Sequence, residues 1–486
     1  MKTTIFAVLL FHSALSGQSL VVRPYVQPGP ISTIAGAESK RILWLTDQVL
    51  VEYRVEFSGE NFPTRIVTPE RVKLDFGPAK STRKPAENEP GEDKVKGTAE
   101  HEQHFFKYTA SIDGLPMDRT IHYQVKRAGQ EIGSGTFRTS ASAGKPIRFV
   151  MVGDLANGQT GQDAVAAQIA KVDPAFVVAL GDLVYPTGRV SQYLDHYWNT
   201  YNPLSGPSLM ASIPFYAVLG NHDVDTHNLL DTPDVLGAYY FFQAPANGPG
   251  EGPWSTPLGT SPAAATFRQS AGSSYPALGN YSFDDGPAHF LILDNNGYAK
   301  LDSPKMLEWI ERDLTVSHAP WKFVCIHAPM FHSSREHYNE QKTRLLAPLF
   351  ERCGADLICS GHVHNYQRSV PLRFTPDSVK VPAGGLVNGN FKLDTVFDGV
   401  THTRPNGLIH LVAGGGGGTL YKGELEKNAA FFQSQKPGNW VPYTAKFVAD
   451  RHSFTVFELT TDRLLLRALD ATGQEIDRCL ITKPTR

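Results

Sequence analysis

Five short blocks of this 486-residue chain carry the side chains best suited to chemistry, and each follows an apolar run. Val150-Met151-Val152 leads into Gly153-Asp154, and Val177 to Leu180 leads into Gly181-Asp182 with Tyr185 shortly after. Ala217-Val218-Leu219 leads into Gly220-Asn221-His222-Asp223, and Val324-Cys325-Ile326 into His327. The fifth run, Ala355 to Cys359, leads into Gly361-His362-Val363-His364-Asn365-Tyr366. Residues two apart on an extended segment point the same way, so His362 and His364 are expected to present two imidazoles to one place. Neutral imidazoles suit zinc or iron. Asp154, Asp182, Tyr185 and Asn221 supply oxygen donors; His327, His362 and His364 supply nitrogen donors. These are too many for one tetrahedral ion, and two ions sharing a carboxylate is the natural count.

The elements that must position these residues are legible behind them. Short apolar runs closed by Gly read as buried strands, and in open α/β sheets ligands bind at the carboxyl ends of strands. Gly before Asp or Asn at three of the blocks lets each turn tighten. From Pro146 onward, strands at Ile147 to Val152, Phe176 to Leu180, Phe215 to Leu219, Phe290 to Leu293, Phe323 to Ile326 and Leu357 to Cys359 alternate with helices. The helices are expected over Gln162 to Val172, from an Ser191 cap through Trp198, from the Ser303-Pro304 start, and around Leu345 to Phe350 with a break at Pro348. Strands return at Leu408 to Val412, Ser453 to Leu459 and Leu464 to Ala468. This alternation predicts an α/β domain. Gly248 to Ser274 and Thr375 to Pro405 read as irregular excursions, and Gly414 to Gly418 as a flexible turn beside the site. That glycine run is no nucleotide loop, because no Lys-Ser or Lys-Thr follows it.

Before Pro146 the pattern is different. Ile42 to Leu45, Val51 to Val55, Phe105 to Ile112 and Ile121 to Val125 alternate as short strands of a β-sandwich. Gly77 to Ala99 is a solvated polar loop, and Ser140 to Lys145 reads as a linker. The domain plan is therefore a leader over 1–17, a β-sandwich over 18–143 and a catalytic domain over 144–486. The leader reading rests on Lys2, the apolar Ile5 to Phe11 and the small-residue exit Ala14-Leu15-Ser16, and it predicts a secreted or periplasmic protein. A net charge of −2 gives no bulk attraction for nucleic acid, and no later run is long and apolar enough to span a bilayer. Cys325 and Cys359 are expected to be buried; Cys353 and Cys479 are left open as a pair. Asn280-Tyr281-Ser282 falls at a strand start and is discounted as a glycosylation acceptor.

The five blocks together resemble the calcineurin-like metallophosphoesterases and, through Tyr185 and the run Gly361 to Ser369, the purple acid phosphatases. The resemblance implies a metallophosphoesterase β-sandwich flanked by helices, preceded by an all-β fibronectin type III-like domain. It implies that Asp154, Asp182, Tyr185 and His364 hold a ferric ion. Asp182, Asn221, His327 and His362 would hold a divalent one (Zn, Fe or Mn), with Asp182 bridging. His222 is then placed to bond the phosphate, and His337 matches the outer histidine that donates to the leaving group. Two positions depart from the family pattern: Ala156 stands where Gly is usual, and Asp223 where Glu is. Tyr366 and Arg368 are read as either shaping the pocket or packing behind it; His289 and His332 have no assigned role. The activity implied is hydrolysis of phosphate monoesters on phosphorylated small molecules. Phosphodiester hydrolysis by the same two-metal site is the alternative, and a non-catalytic binding protein the remote one.

Overall fold

The computed structural model describes residues 20–31, 37–47, 52–78, 103–425 and 438–484. The expected leader, residues 1–17, lies outside the described residues, as does nearly all of the stretch from Gly77 to Ala99.

Eight antiparallel strands come first: β1 (Leu20–Pro28), β2 (Ala37–Thr46), β3 (Tyr53–Gly59), β4 (Phe62–Val67), β5 (Glu70–Phe76), β6 (Gln103–Pro116), β7 (Thr120–Arg127) and β8 (Gln130–Arg138). They make two sheets, ordered β1-β2-β6-β5 and β4-β3-β7-β8. Alternate residues of β3 and β7 turn Tyr53, Val55, Phe57, Ile121, Tyr123 and Val125 inward, where Trp44 and Tyr108 stack at 5.2 Å between ring centroids. This is the all-β class expected, and it is consistent with a fibronectin type III-like domain.

The remaining strands form a second, larger sandwich. One sheet places β9 (Ile147–Val152), β10 (Val177–Ala179) and β11 (Phe215–Ala217) in parallel. The other sheet contains β12 (Asn280–Asp285), β13 (Ala288–Leu293), β14 (Trp321–Cys325), β15 (Leu357–Ser360), β16 (Tyr366–Ser369), β19 (Ile409–Ala413) and β20 (Thr444–Val448). A two-stranded hairpin, β17 (Leu372–Pro376) with β18 (Gly389–Leu393), stands apart. The first sheet is completed by β21 (Ser453–Leu459), β22 (Arg463–Asp470) and β23 (Glu475–Thr482), all antiparallel. β13, β14, β15 and β19 run parallel to one another. Between the sheets Phe149 stacks on Phe176 at 5.0 Å and on Phe457 at 4.9 Å, and meets Phe290 edge-on at 5.0 Å. Each of these rings is buried, which contributes about 2–3 kcal/mol apiece.

Helices cover the outside. Thr160–Val172 buries Val165, Ala166 and Ile169 and stops where Asp173 turns left-handed at φ 52°. Pro304–Val316 buries Met306, Trp309, Ile310 and Leu314, the spacing of one helical face. Ser303 precedes it, but its hydroxyl oxygen accepts no capping N–H. The helical run from Val190 to Tyr201 starts one residue before Ser191, whose hydroxyl instead donates to Asp234 at 2.9 Å. Near Pro348 a 3₁₀ turn, Lys342–Leu346, passes into Ala347–Arg352, so the break falls just before the proline. The two expected irregular excursions are partly ordered. Pro262–Ala271 is a helix capped by the Ser261 hydroxyl, and β18 pairs with β17.

The two sandwiches share packing. Val22, Tyr25, Leu43, Leu45, Leu74 and Phe76 belong to the same apolar cluster as β9 and β10. Tyr25 donates to the Phe241 carbonyl and Tyr123 to that of Ala211, both at 2.9 Å. Ser140 to Lys145, read as a linker, is pinned: Ser140 bonds Glu38, Ala141 bonds Asp285 and Ser142 bonds Asp118. All four cysteines are buried and unpaired; Cys353 and Cys479 lie in separate clusters. No helix among the described residues is long and apolar enough to cross a membrane.

Candidate metal centre

The carboxyl ends of β9, β10, β11, β14 and β15 meet at one edge of the larger sandwich, and the five blocks meet there with them. Backbone bonds knit the loops together. Asp154 N–H donates to Gly181 O and Leu155 N–H to Asp182 O, each at 2.9 Å, and Gly361 N–H donates to His327 O at 3.0 Å. Asp154, Asp182 and His362 are held at φ 61°, 50° and 66°. Left-handed backbone at residues with a Cβ is costly and clusters where a site demands a particular aim.

Three donor groups result, Asp154 with Asp182 and His364, Asp182 with His327 and His362, and at the rim His337 with Glu340 and His362; within each, the ligand atoms lie within 4.8 Å of one another. Asp182 belongs to the first two. The Tyr185 hydroxyl lies 3.1 Å from Asp154 Oδ1, 3.2 Å from Asp182 Oδ2 and 3.0 Å from His364 Nε2, which places it in the first group. Asn221 Oδ1 is 3.1 Å from His327 Nε2, in the second. All seven candidate donors are therefore brought together.

The pairing of the two imidazoles differs from the strand-based expectation. β15 ends at Ser360, and the segment after it is a string of tight turns, with Val363 N–H bonded to Gly361 O and Asn365 N–H to Val363 O at 2.7 Å. The left-handed turn at His362 breaks the two-residue period, so His362 and His364 face different groups. Each ring is fixed by its other nitrogen, as metal-facing histidines generally are. His327 Nδ1 lies 2.8 Å from Leu180 O and His364 Nδ1 2.8 Å from Thr419 O, leaving Nε2 inward on both. His362 Nε2 lies 2.9 Å from Glu340 Oε2, so its Nδ1 is the nitrogen left for the centre.

Gly414 to Gly418 is packed rather than flexible. Gly416 N–H donates to Gly153 O and Gly418 N–H to Asp154 O. A Cβ on Gly414 would lie 2.6 Å from Asp154 Oδ2, and one on Gly418 would lie 2.7 Å from the His364 ring. The glycines are needed for this close approach. Ala156 is accommodated in a short bridge with Val184, without left-handed backbone. Asp223 is buried and accepts the N–H groups of Gly220 and Leu183, bracing the third block against the second.

Electrostatics agree with a cation site. Burial alone would raise the Asp182 carboxyl, but the facing imidazoles of His327, His222 and His362 hold it well below the usual range. Burial opposes charge on His327 too, yet Asp182 and Asp154 push it up to about 10. Burial and the charge of His337 bring His362 down to about 4 against the pull of Glu340. Tyr185 is pushed up by burial and by Asp154 and Asp182. Asp154 Oδ2 is buried and has no hydrogen-bond partner, an expensive state that a cation would relieve. An orphaned carboxylate oxygen, three imidazoles fixed by their outer nitrogens and a shared Asp182 fit a pair of metal ions.

Around this centre, His222 N–H donates to Asp182 Oδ1 at 2.9 Å, and its Nδ1 lies 2.7 Å from Pro186 O. His337 is at the rim, its ring centroid 3.9 Å from that of His362 and its Nδ1 2.8 Å from Glu340 Oε1. Glu340 and Tyr421, whose ring lies parallel to His364 at 4.2 Å, have no motif that marks them in the sequence. Tyr366 and Arg368 pack behind the centre: both bond Asp477 on β23. His289 is clamped between Asp284 and Asp313, away from the centre.

Residues 147–366 match the family model described as calcineurin-like phosphoesterase. Within that class the chain is similar to purple acid phosphatases. It is 26% identical over 266 residues to purple acid phosphatase 18 of Arabidopsis thaliana, covering 53% of this chain and 52% of that one. It is 26% identical over 325 residues to the Fe(3+)-Zn(2+) purple acid phosphatase 12 of the same plant, covering 62% and 60%. The chain thus spans little more than half the length of these relatives. Its fold is shared with a purple acid phosphatase from yellow lupin (Lupinus luteus) seeds: TM-score 0.64 at 19% identity over 94% of this chain and 74% of that one.

Proposed function

We propose that the chain is an exported binuclear metallohydrolase that releases phosphate from monoesters of small molecules. The observation that carries this reading is the position of Asp182, shared by two donor groups, with the Tyr185 hydroxyl within 3.2 Å of it. Asp154, Asp182, Tyr185 and His364 would hold a ferric ion, and Asp182, Asn221, His327 and His362 a divalent ion (Zn, Fe or Mn). When bound, the two ions supply an acidified water below neutral pH and positive charge for the phosphoryl oxygens.

The chain's own residues do the rest. Asp182, with Oδ1 on the His222 N–H and Oδ2 near Tyr185, fixes the spacing of the two halves. With its Nδ1 donating to Pro186 O, His222 in the imidazolium form donates from Nε2 to a phosphoryl oxygen. Glu340 holds His337 through Nδ1, so that its Nε2 hands a proton to the departing alkoxide.

Metal analysis, visible absorption and turnover of 4-nitrophenyl and bis(4-nitrophenyl) phosphate, run across pH on one preparation, test this reading. The expected result is two ions per chain, a visible phenolate-to-iron band that Tyr185→Phe abolishes, and faster turnover of the monoester. Faster turnover of the diester would move the chain to the phosphodiesterases. A fully metallated protein inert on both would overturn the hydrolase.

A further inference from the structure

The loop that carries His337 and Glu340 is held from below by a buried polar network that none of the metal motifs contains. Gln341, Arg344 and Asn439 are each no more than 2% exposed. Gln341 uses every group it has. Its N–H donates to Gly385 O, its Nε2 to Tyr338 O at 2.7 Å, and its Oε1 accepts from Val387 N–H at 2.9 Å and Asn439 Nδ2 at 3.0 Å. Tyr338 in turn donates its hydroxyl to Asn439 Oδ1 at 2.6 Å. The Arg344 guanidinium donates to the carbonyls of Met330, Val387 and Asn439 and lies 4.6 Å over the Phe331 ring.

Two features make this more than packing. Among the described residues no carboxylate pairs with Arg344, so a buried charge is held by backbone carbonyls of three separate segments and by the neighbouring Tyr338 and Tyr443 hydroxyls. And the turn it anchors is strained, with His337 at φ 60° and Glu340 N–H bonded back to His337 O. A left-handed residue with a Cβ persists where its surroundings over-determine it. Gln341 and Tyr338, the neighbours of Glu340 and His337 in the chain, are those surroundings.

We propose that Gln341, tied to Tyr338, Asn439 and Arg344, is a positioning residue that sets the His337 imidazole over the leaving-group side of the metal centre. The inference rests on the phosphomonoesterase reading above and extends it to residues that touch neither metal nor substrate. A displaced general acid matters where the leaving alkoxide is basic and needs a proton, and hardly matters where it is a good leaving group. A loop that was merely structural would show no such dependence.

Gln341→Ala and, as a variant that keeps the ring volume, Tyr338→Phe are compared with the wild-type holoenzyme on 4-nitrophenyl phosphate and on glycerol phosphate, with metal content measured on each preparation. The expected result is about a tenfold loss of kcat or more on glycerol phosphate, a change within about twofold on 4-nitrophenyl phosphate, and two ions per chain throughout. An equal loss on both esters at full metal content overturns the positioning role, as does no loss on either ester in Tyr338→Phe. A wild-type protein that holds two ions and cleaves neither ester would instead overturn the phosphomonoesterase reading itself.

Discussion

Asp182 divides its carboxylate between two neighbourhoods: Oδ1 accepts the His222 N–H and faces His327, and Oδ2 faces Tyr185. Asp182→Asn keeps the shape but removes the charge that both groups share, so metal binding on both sides should weaken together. His337→Gln should lower turnover of alkyl esters by ~100-fold while leaving metal content intact, which steady-state rates on glycerol phosphate would check. Away from the centre, His289 offers a pH test of the fold. Burial would lower its imidazole, but the hydrogen bonds that it donates to Asp284 and Asp313 raise it to about 9. Its folded value lies above the unfolded one of 6.5, so its contribution is fully present below about pH 6.5 and is lost as pH rises through about 9. His289→Gln should therefore destabilise on the order of 2 kcal/mol at pH 6 and much less at pH 10, read from denaturant midpoints at the two pH values.

At the scale of elements, the strands that feed the centre were readable and the loops between strand and ligand were not. Ile147 to Val152 and Ser453 to Leu459 are strands with the bounds their apolar runs suggest, because turn residues close both ends. The exposed strand β4 gave no such signal, since its residues are exposed or half-buried and carry no buried alternation. The helix Pro262–Ala271 did have one, a Ser-Pro start before three alanines, masked by the surrounding glycines and prolines. The two-residue spacing of His362 and His364 misled because the chain leaves extended backbone at His362. Glu340 was invisible because its partners, His337 and His362, meet it only in the folded chain. The glycine run shows the same limit, since only the fold reveals that Gly418 backs onto His364. Gly418→Ala should push that ring and weaken the Tyr185 side of the centre. The ion on the Tyr185 side and, if it is ferric, the visible band should be lost in this variant, with the divalent ion retained on the other side.

Across the whole molecule, the β-sandwich before Pro146 and the larger one after it unfold together in this account, because they share a core and a buried ion pair at their junction. Glu38 and Lys40, each 2% exposed, bond at 2.9 Å, and Glu38 also accepts from Ser140 N–H and hydroxyl. Asp285, on the other sandwich, is pushed up to about 7 by burial, with the nearby Glu38 charge adding to it. Lys40→Met leaves Glu38 without its cation and should destabilise by about 3 kcal/mol or more. The thermal transition should shift down and stay single; a split into two transitions would show that the sandwiches unfold independently.

The central claim is that seven donors from five strand ends hold two ions through one shared carboxylate. Metal content per chain, measured on wild type and on Asp182→Asn at equal protein concentration after dialysis, tests it most directly. The account predicts two ions in the wild type and one or none in Asp182→Asn, with phosphate release lost alongside. Two ions retained in Asp182→Asn, or none bound by the wild type, would contradict it.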